Sequence, residues 1–255
     1  MKIALFSDIH ANLPALTRFF EETDSQDLDA IYCLGDLVGY NIWPNEVIRE
    51  IHKRKIPTIA GNYDFGIGRT SDECGCAYKT EEDQAMGKQS IAFTNAAVGD
   101  WERAYLRRLP AHIRLEYQLN DDNLHLLMVH GSPRKINEYL FEDREEKSLL
   151  RIMQQAQAHV MCFGHTHKPF HRVLWDEESK CYRHAINLGS IGKPKDGDPR
   201  GCYVIIELDQ HSTLLTADGV NVTFQRFTYD VEQAARAVEA SVLPNAYADM
   251  LRLAY

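Results

Sequence analysis

A chain of 255 residues and 29.2 kDa with 44% hydrophobic residues can bury a core that preorganises a site without cross-links, and one domain over residues 1–255 is the expected count. A formal charge of -9 and a pI near 5.6 argue against tracking along nucleic acid, which needs a concentrated basic surface, and leave a small phosphorylated partner compatible. No stretch approaches the roughly 20 apolar residues that span a bilayer, and the opening residues read as a strand rather than a cleavable signal, so no membrane contact and a cytoplasmic location are expected.

Residues 2–7 form a short apolar run with the look of a buried strand. A helix over 12–22 follows, with Leu13, Leu16, Phe19 and Phe20 at helical spacing, Asn12 as its cap and Pro14 in its first turn. Residues 30–35 read as a second strand, 44–55 as a helix turning Val47, Ile48 and Ile51 inward, and 56–60 as a third strand. This β-α-β-α-β order predicts a parallel sheet with helices on its face. The loop over 66–79 is rich in Gly and polar residues and carries Cys74 and Cys76; it reads as a mobile surface loop, with a third-metal or redox role as the alternative. Cys33, Cys162 and Cys202 lie in strand-like runs and Cys181 in an apparent hairpin, which suits reduced, buried thiols.

Helices are predicted over 80–97, opening on Thr80 and Asp83 near the capping-box pattern, and over 100–108, stopped by Pro110. Apolar strands at 124–129 and 159–163 flank a charged helix over 142–158 that shows Leu149, Ile152 and Met153 to the core. From 170 to 227 the chain reads as short strands joined by polar turns, around Val173, around Tyr182, and at 185–188, 203–208, 213–217 and 220–227, with antiparallel pairing expected. Residues 230–253 read as an amphipathic helix pair broken near Pro244, so that 230–255 forms a C-terminal helical extension. The most economical assembly is a mixed α/β fold of two packed sheets with helices outside, a four-layer αββα sandwich.

Six of the apolar runs end, on their C-terminal side, at a residue able to bind a hard or borderline metal ion or at the turn that positions one. These are Asp8 and His10, Asp36, Asn62, His130, then His165 and His167, with Asn187 after the sixth run. Scattered ligands must be brought to one point, and the C-terminal edge of a buried sheet is where α/β folds do this. Two neighbouring divalent cations need a ligand that bridges them and offsets their repulsion, a role that suits the Asp36 carboxylate. Imidazole, carboxylate and amide oxygen without thiolate point to Mn²⁺ first, then Fe or Zn²⁺, rather than Ca²⁺ or a structural zinc knot. Singly, each residue has a plain reading: Asp8 or Asn12 as a helix cap, Asn62 as a turn residue, the histidines as hydrogen-bonded loop residues. Together, in this order and each at a strand end, they predict a two-metal hydrolase.

Asp8-x-His10, Gly35-Asp36, Gly61-Asn62-x-Asp64, His130-Gly131 and Gly164-His165-Thr166-His167 resemble the five blocks of the calcineurin-like metallophosphoesterases, a likeness that covers residues 1 to about 210. Within that superfamily the chain most resembles the small bacterial and archaeal phosphodiesterase-like branch, to which the stretches at 130–134, 187–190 and 196–200 are also similar. The resemblance implies the αββα sandwich, with Asp8, His10, Asp36 and His167 on a first metal and Asp36, Asn62, His130 and His165 on a second. The activity it implies is hydrolysis of phosphodiester bonds in small, nucleotide-like substrates by attack of a metal-bridging hydroxide.

One departure bears on mechanism. Many members of the superfamily carry a histidine after the Asn of the third block, and here that position is Tyr63. A phenol with an ordinary pKa of about 10 can donate a hydrogen bond but is a poorer acid near neutrality than an imidazole at about 6.5. Tyr63 is therefore expected beside Asp36, Asn62 and His130 in the catalytic group only as a donor, with good leaving groups turning over best, and Asp64 is expected to bond backbone amides of the turn. Arg134, Lys135, Lys193, Lys195 and Arg200 follow strand ends and are candidate substrate contacts; His171 is the nearest further histidine in sequence. The competing readings are a phosphomonoesterase, protein phosphatase or dinucleoside polyphosphate hydrolase, and a metal-binding scaffold without catalysis.

Overall fold

In the computed structural model, which describes residues 1–120 and 123–255, the first half of the chain runs β1 (Lys2–Phe6), α1 (Leu13–Asp24), β2 (Ala30–Cys33), α2 (Pro44–Lys53), α3 (Asn62–Gly68), α4 (Glu81–Ala97), α5 (Asp100–Arg108), β3 (His112–Gln118) and β4 (Asn123–Val129). The second half continues α6 (Glu146–Gln155), β5 (Val160–Phe163), β6 (Phe170–Asp176), β7 (Cys181–Asn187), β8 (Gly201–Glu207), β9 (Asn221–Phe227), α7 (Val231–Glu239) and α8 (Ala246–Leu253). The strands make two mixed sheets, β2-β1-β8-β9 and β3-β4-β5-β7-β6.

The period-2 alternation of side chains divides each central strand between two layers. Ile3 and Leu5 of β1 meet Leu126, Met128, Val160 and Cys162 of the second sheet, while Ala4 and Phe6 face Leu16, Phe19 and Phe20 of α1 and Val47, Ile48 and Ile51 of α2. On the far side Met161 and Phe163 of β5 pack against Leu149, Ile152 and Met153 of α6. Four layers result, helix–sheet–sheet–helix, as the sequence predicts. The helix α1 begins where it should, because the Asn12 side chain accepts the Ala15 amide at 3.2 Å, and Thr80 accepts the Asp83 amide at 3.0 Å at the head of α4. α7 and α8 form a smaller apolar cluster of their own, in which Ala235, Val238, Leu243 and Tyr247 meet Tyr40, Trp43 and Phe93.

Several details differ from the sequence reading, among them the short helix α3, which that reading does not include. The expected strand at 56–60 shrinks to one bridge between Cys33 and Thr58: Cys33 donates to the Pro57 carbonyl and accepts from the Ile59 amide, but Pro57 has no N–H with which to extend the ladder. The segment 213–217 is a turn rather than a strand, and β3, whose Ile113, Leu115 and Tyr117 alternate with exposed polar residues, pairs antiparallel with β4. The late strands do pair antiparallel, β6 with β7 and β8 with β9, yet they are shared out: β7 also runs parallel to β5, and β8 crosses to lie antiparallel to β1. All six cysteines are free. Among the described residues no helix is long and apolar enough to cross a membrane.

Candidate metal centre

The C-terminal ends of β1, β2, β4 and β5 open on the same rim between the two sheets, and the loops that leave them converge. Asp8 N–H donates to the Gly35 carbonyl at 3.0 Å and His10 N–H to the Asp36 carbonyl at 2.9 Å, lacing the first two loops together. Asn187, at the end of β7, donates to the Gly164 carbonyl and the Thr166 hydroxyl, both at 2.9 Å, and so fixes the loop that carries His165 and His167. Asp8, His10, Asp36, His165 and His167 all take left-handed backbone angles, with φ from 50° to 66°. Such angles are uncommon outside glycine and cost of order 1 kcal/mol or more each. Two glycines permit the close approach: a Cβ on Gly61 would lie 2.0 Å from Asp36 Oδ1, and one on Gly164 would lie 2.3 Å from Asp8 Oδ2.

Two groups of potential metal donors result, Asp8 with His10 and His167, and Asp36 with His130 and His165, every one buried. Asp8 Oδ1 lies 3.2 Å from His167 Nε2 and 3.7 Å from His10 Nε2. Asp36 Oδ2 lies between the groups, 3.6 Å from His10 Nε2 and 3.4 Å from His130 Nε2, and Asn62 Oδ1 is 3.1 Å from His130 Nε2. The carboxylate oxygens not aimed at this centre are held by backbone: Asp36 Oδ1 accepts the Tyr63 N–H at 2.9 Å and Asp8 Oδ2 the His165 N–H at 3.0 Å. His10, His130 and His167 each set Nδ1 against a carbonyl oxygen, those of Val38, Leu34 and Lys193, a contact that requires the proton on Nδ1 and leaves the Nε2 lone pair for a ligand role. Asn62 is oriented in the same way, through donation from Nδ2 to the Cys74 carbonyl at 2.8 Å.

The donor set fits cations. Asp8 Oδ1 and His165 Nε2 are buried with no hydrogen-bond partner among the described residues, and the Nε2 atoms of His10 and His167 face each other at 3.2 Å, where two lone pairs repel unless a positive charge lies between them. Burial, with Lys195 nearby, pushes His167 down to about 3, and burial, with His130, pushes His165 down to about 4, so both are neutral imidazoles able to ligate. Burial also resists charge on His130, but the adjacent Asp36 carboxylate prevails and lifts it to about 10, so a cation there competes with a proton.

All seven expected donors therefore come together, and Tyr63 lies behind them. Its ring is 1% exposed and packs on Tyr40 at 4.8 Å and on His10 at 5.5 Å; its buried hydroxyl faces the polar groups of Tyr40, Tyr78 and Cys76 but makes no hydrogen bond of normal geometry among the described residues, and burial followed by Tyr40 holds the phenol well above its ordinary range. Asp64 bonds the Gly61 and Leu37 amides, both at 2.9 Å, as the turn requires. The loop with the two cysteines lies at the surface, with Asp72, Glu73, Gly75 and Ala77 exposed, but its thiols turn inward: Cys74 is buried, and Cys76 Sγ is 3.6 Å from Asn62 Nδ2. Of the candidate cationic contacts, Arg134 is paired with Glu138 and Arg200 with Asp198, whereas Lys193 and Lys195 line a cavity beside the centre. His171 turns to His184, its Nε2 3.0 Å from His184 Nδ1. Sequence reasoning passes over Tyr40 and Tyr139, whose rings lie 4.8 Å from His10 and 4.1 Å from His165; Tyr139 comes from an irregular loop with no periodic signal.

Known proteins resemble this chain in sequence and in fold. Residues 1–211 match the calcineurin-like phosphoesterase superfamily domain. An uncharacterised protein of Methanocaldococcus jannaschii is 27% identical over 95% of this chain and 93% of its own length. A UDP-2,3-diacylglucosamine hydrolase of Actinobacillus succinogenes is 26% identical over 64% of this chain and 80% of its own. Among solved structures, a metallophosphoesterase from Sphaerobacter thermophilus superposes with a TM-score of 0.73 at 25% identity, covering 100% of this chain and 99% of that one. A hypothetical protein from Pyrococcus horikoshii superposes with a TM-score of 0.75 at 20% identity, over 98% and 97% of the two chains, a likeness of fold.

Proposed function

The chain belongs to the calcineurin-like phosphoesterase superfamily and is a metal-dependent phosphoesterase, and from that premise we propose that it hydrolyses phosphodiester bonds of small, nucleotide-like substrates. The observation that carries the reading is Asp36 Oδ2, set 3.6 Å from an imidazole of one donor group and 3.4 Å from an imidazole of the other, a single carboxylate oxygen within reach of both. In this proposal Asp8, His10, Asp36 and His167 hold one divalent cation, Mn²⁺ by preference, and Asp36, Asn62, His130 and His165 hold the other. Such a pair, when bound, polarises the phosphoryl oxygens and makes water nucleophilic near neutral pH.

The rest falls to the chain's own residues. The Tyr63 amide draws on Asp36 Oδ1 and leaves Oδ2 to be shared, while the carbonyls of Val38, Leu34 and Lys193 keep three imidazoles from rotating, so no donor has to reorganise when substrate binds. The buried phenol of Tyr63 does not reach a departing oxygen, which favours esters whose leaving group departs unprotonated; aryl diesters, which release a phenolate, and nucleotide diphosphate esters cleaved at the anhydride, which release a phosphate, meet that condition. A nucleotide-linked substrate also stands in the name of the UDP-2,3-diacylglucosamine hydrolase to which the chain is similar. The competing scaffold reading is disfavoured by seven intact donors that converge.

The test compares bis(p-nitrophenyl) phosphate with p-nitrophenyl phosphate, two substrates with one leaving group, using the Mn²⁺-loaded protein and its Asp36→Asn variant. Preference for the diester by tenfold or more, with loss of at least about a thousandfold in Asp36→Asn, is the expected result. Faster turnover of the monoester would move the chain to the phosphatases, and activity surviving in Asp36→Asn would remove the shared carboxylate from the mechanism.

A further inference from the structure

Beside the two donor groups lies a cavity of about 310 Å³, near the lower end of the range for small-ligand sites, whose walls include Tyr40, Asp83, Tyr139, Lys193, Lys195 and Tyr247. It adjoins both groups, because Tyr40 packs on His10, Tyr139 on His165, and the Lys195 amide donates to the His167 carbonyl at 3.3 Å. Two lysines sit in this wall without the usual partners. Lys193 is 2% exposed, and its Nζ rests 3.5 Å from the Met250 thioether sulfur and 4.9 Å from the centre of the Tyr40 ring. Among the described residues no carboxylate lies within ion-pair distance of Lys193 or Lys195, although Arg134 and Arg200 on the neighbouring loops each have one. A thioether and a ring face compensate a desolvated ammonium only in part, and a buried charge ordinarily comes with a counter-charge.

The metal donors already provide for the phosphoryl group that reacts, so the missing counter-charge belongs elsewhere on the ligand. We infer that Lys193 and Lys195 form a subsite for a second phosphoryl group of the substrate, roofed by Tyr247 and Met250 of α8, so that the protein selects phosphoesters carrying two phosphoryl groups over those with one. Tyr247 and Met250 lie beyond the 1–211 segment matched by the superfamily domain, which puts this selection in the C-terminal helices rather than in the shared fold. The inference rests on the phosphoesterase reading for the placement of the first phosphoryl group.

The test is calorimetric and independent of turnover. The metal-loaded full chain is titrated with AMP and with adenosine 5′-(α,β-methylene)diphosphate, a hydrolysis-resistant probe that adds one phosphoryl group to the same nucleoside. The wild type should bind the diphosphate analogue at least tenfold more tightly, and Lys195→Met and Lys193→Met should each narrow that ratio to under threefold. If burial of Lys193 makes its variant fold poorly, the half-buried Lys195 decides the matter. A wild-type ratio below threefold, a ratio unchanged in Lys195→Met, or equal weakening of both nucleotides would each overturn the subsite. Turnover of bis(p-nitrophenyl) phosphate by the same wild-type preparation separates the two claims: absent turnover with a lysine-dependent ratio sinks the catalytic reading alone, and turnover without that ratio sinks the subsite alone.

Discussion

Removal and return of the cations should move the thermal stability of this chain by an amount that follows from where the donors lie. Asp8 and Asp36 leave strands of one sheet and His130, His165 and His167 leave strands of the other, so the donors meet only when the sandwich is assembled and the unfolded chain has no comparable site. Each cation held at a hundredfold over its dissociation constant then adds about 2.7 kcal/mol, and two add about 5 kcal/mol. With an unfolding entropy of about 2.1 cal/mol/K per residue, a chain of 255 residues should rise in Tm by about 10 °C between the chelator-stripped and Mn²⁺-reconstituted forms. Scanning calorimetry alongside elemental analysis reads both quantities on one sample. If Asp36 serves both cations as proposed, Asp36→Asn should lose more than half of the rise. A rise below about 2 °C with two equivalents bound would refute the reasoning, because the cations would then be held by something other than donors gathered from both sheets.

Other outcomes follow from single contacts. Tyr63→Phe removes a buried hydroxyl that makes no well-formed hydrogen bond among the described residues, so thermal denaturation should show little change in stability, within about 1 kcal/mol, and an activated diester should still turn over; a tenfold loss would give the phenol a direct role. Gly164→Ala places a Cβ 2.3 Å from Asp8 Oδ2 and 2.4 Å from Ser7 Oγ, and should cost about 1–3 kcal/mol in urea unfolding and at least one metal equivalent by elemental analysis. Burial, then His171, pushes His184 down to about 4, so between pH 6.5 and 4 the unfolded chain binds the proton that the folded chain refuses, and stability falls as pH falls through that window. His184→Phe should flatten this limb by up to about 3 kcal/mol in denaturant titrations at pH 7 and pH 4, and an unchanged slope would place the acid loss elsewhere.

Much of the centre is legible in the sequence because each donor follows an apolar run, and a buried strand in a parallel arrangement announces its own C-terminal end. Asp8, Asp36, His130 and His165 are found this way, and Asn187 joins them through the run that became β7. Other parts depend on information that a local pattern does not carry. Pro57 sits in a run as apolar as a strand, and only its missing donor reduces the pairing there to one bridge. Cys74 and Cys76 lie in a polar, Gly-containing stretch, yet the Cys74 carbonyl closes on Asn62, a contact 12 residues apart that no periodicity marks. Tyr63 shows how composition can mislead: beside Asn62 in sequence it shares the rim, but the first turn of α3 sends its ring into the core under His10. The alternation Ile113, Leu115, Tyr117 does carry the signal for β3, masked by the charged residues between them.

The left-handed backbone at Asp8, His10, Asp36, His165 and His167 narrows what evolution or an engineer can place there. Aspartate and histidine are among the few side-chain-bearing residues enriched in that conformation, and they are also the oxygen and nitrogen ligands that borderline divalent ions accept. An exchange to cysteine or glutamate, made to retune metal preference, meets resistance twice, once from the coordination chemistry and once from a torsion angle those residues seldom adopt. The metal repertoire of this protein is thus guarded by its main chain as well as by its donors.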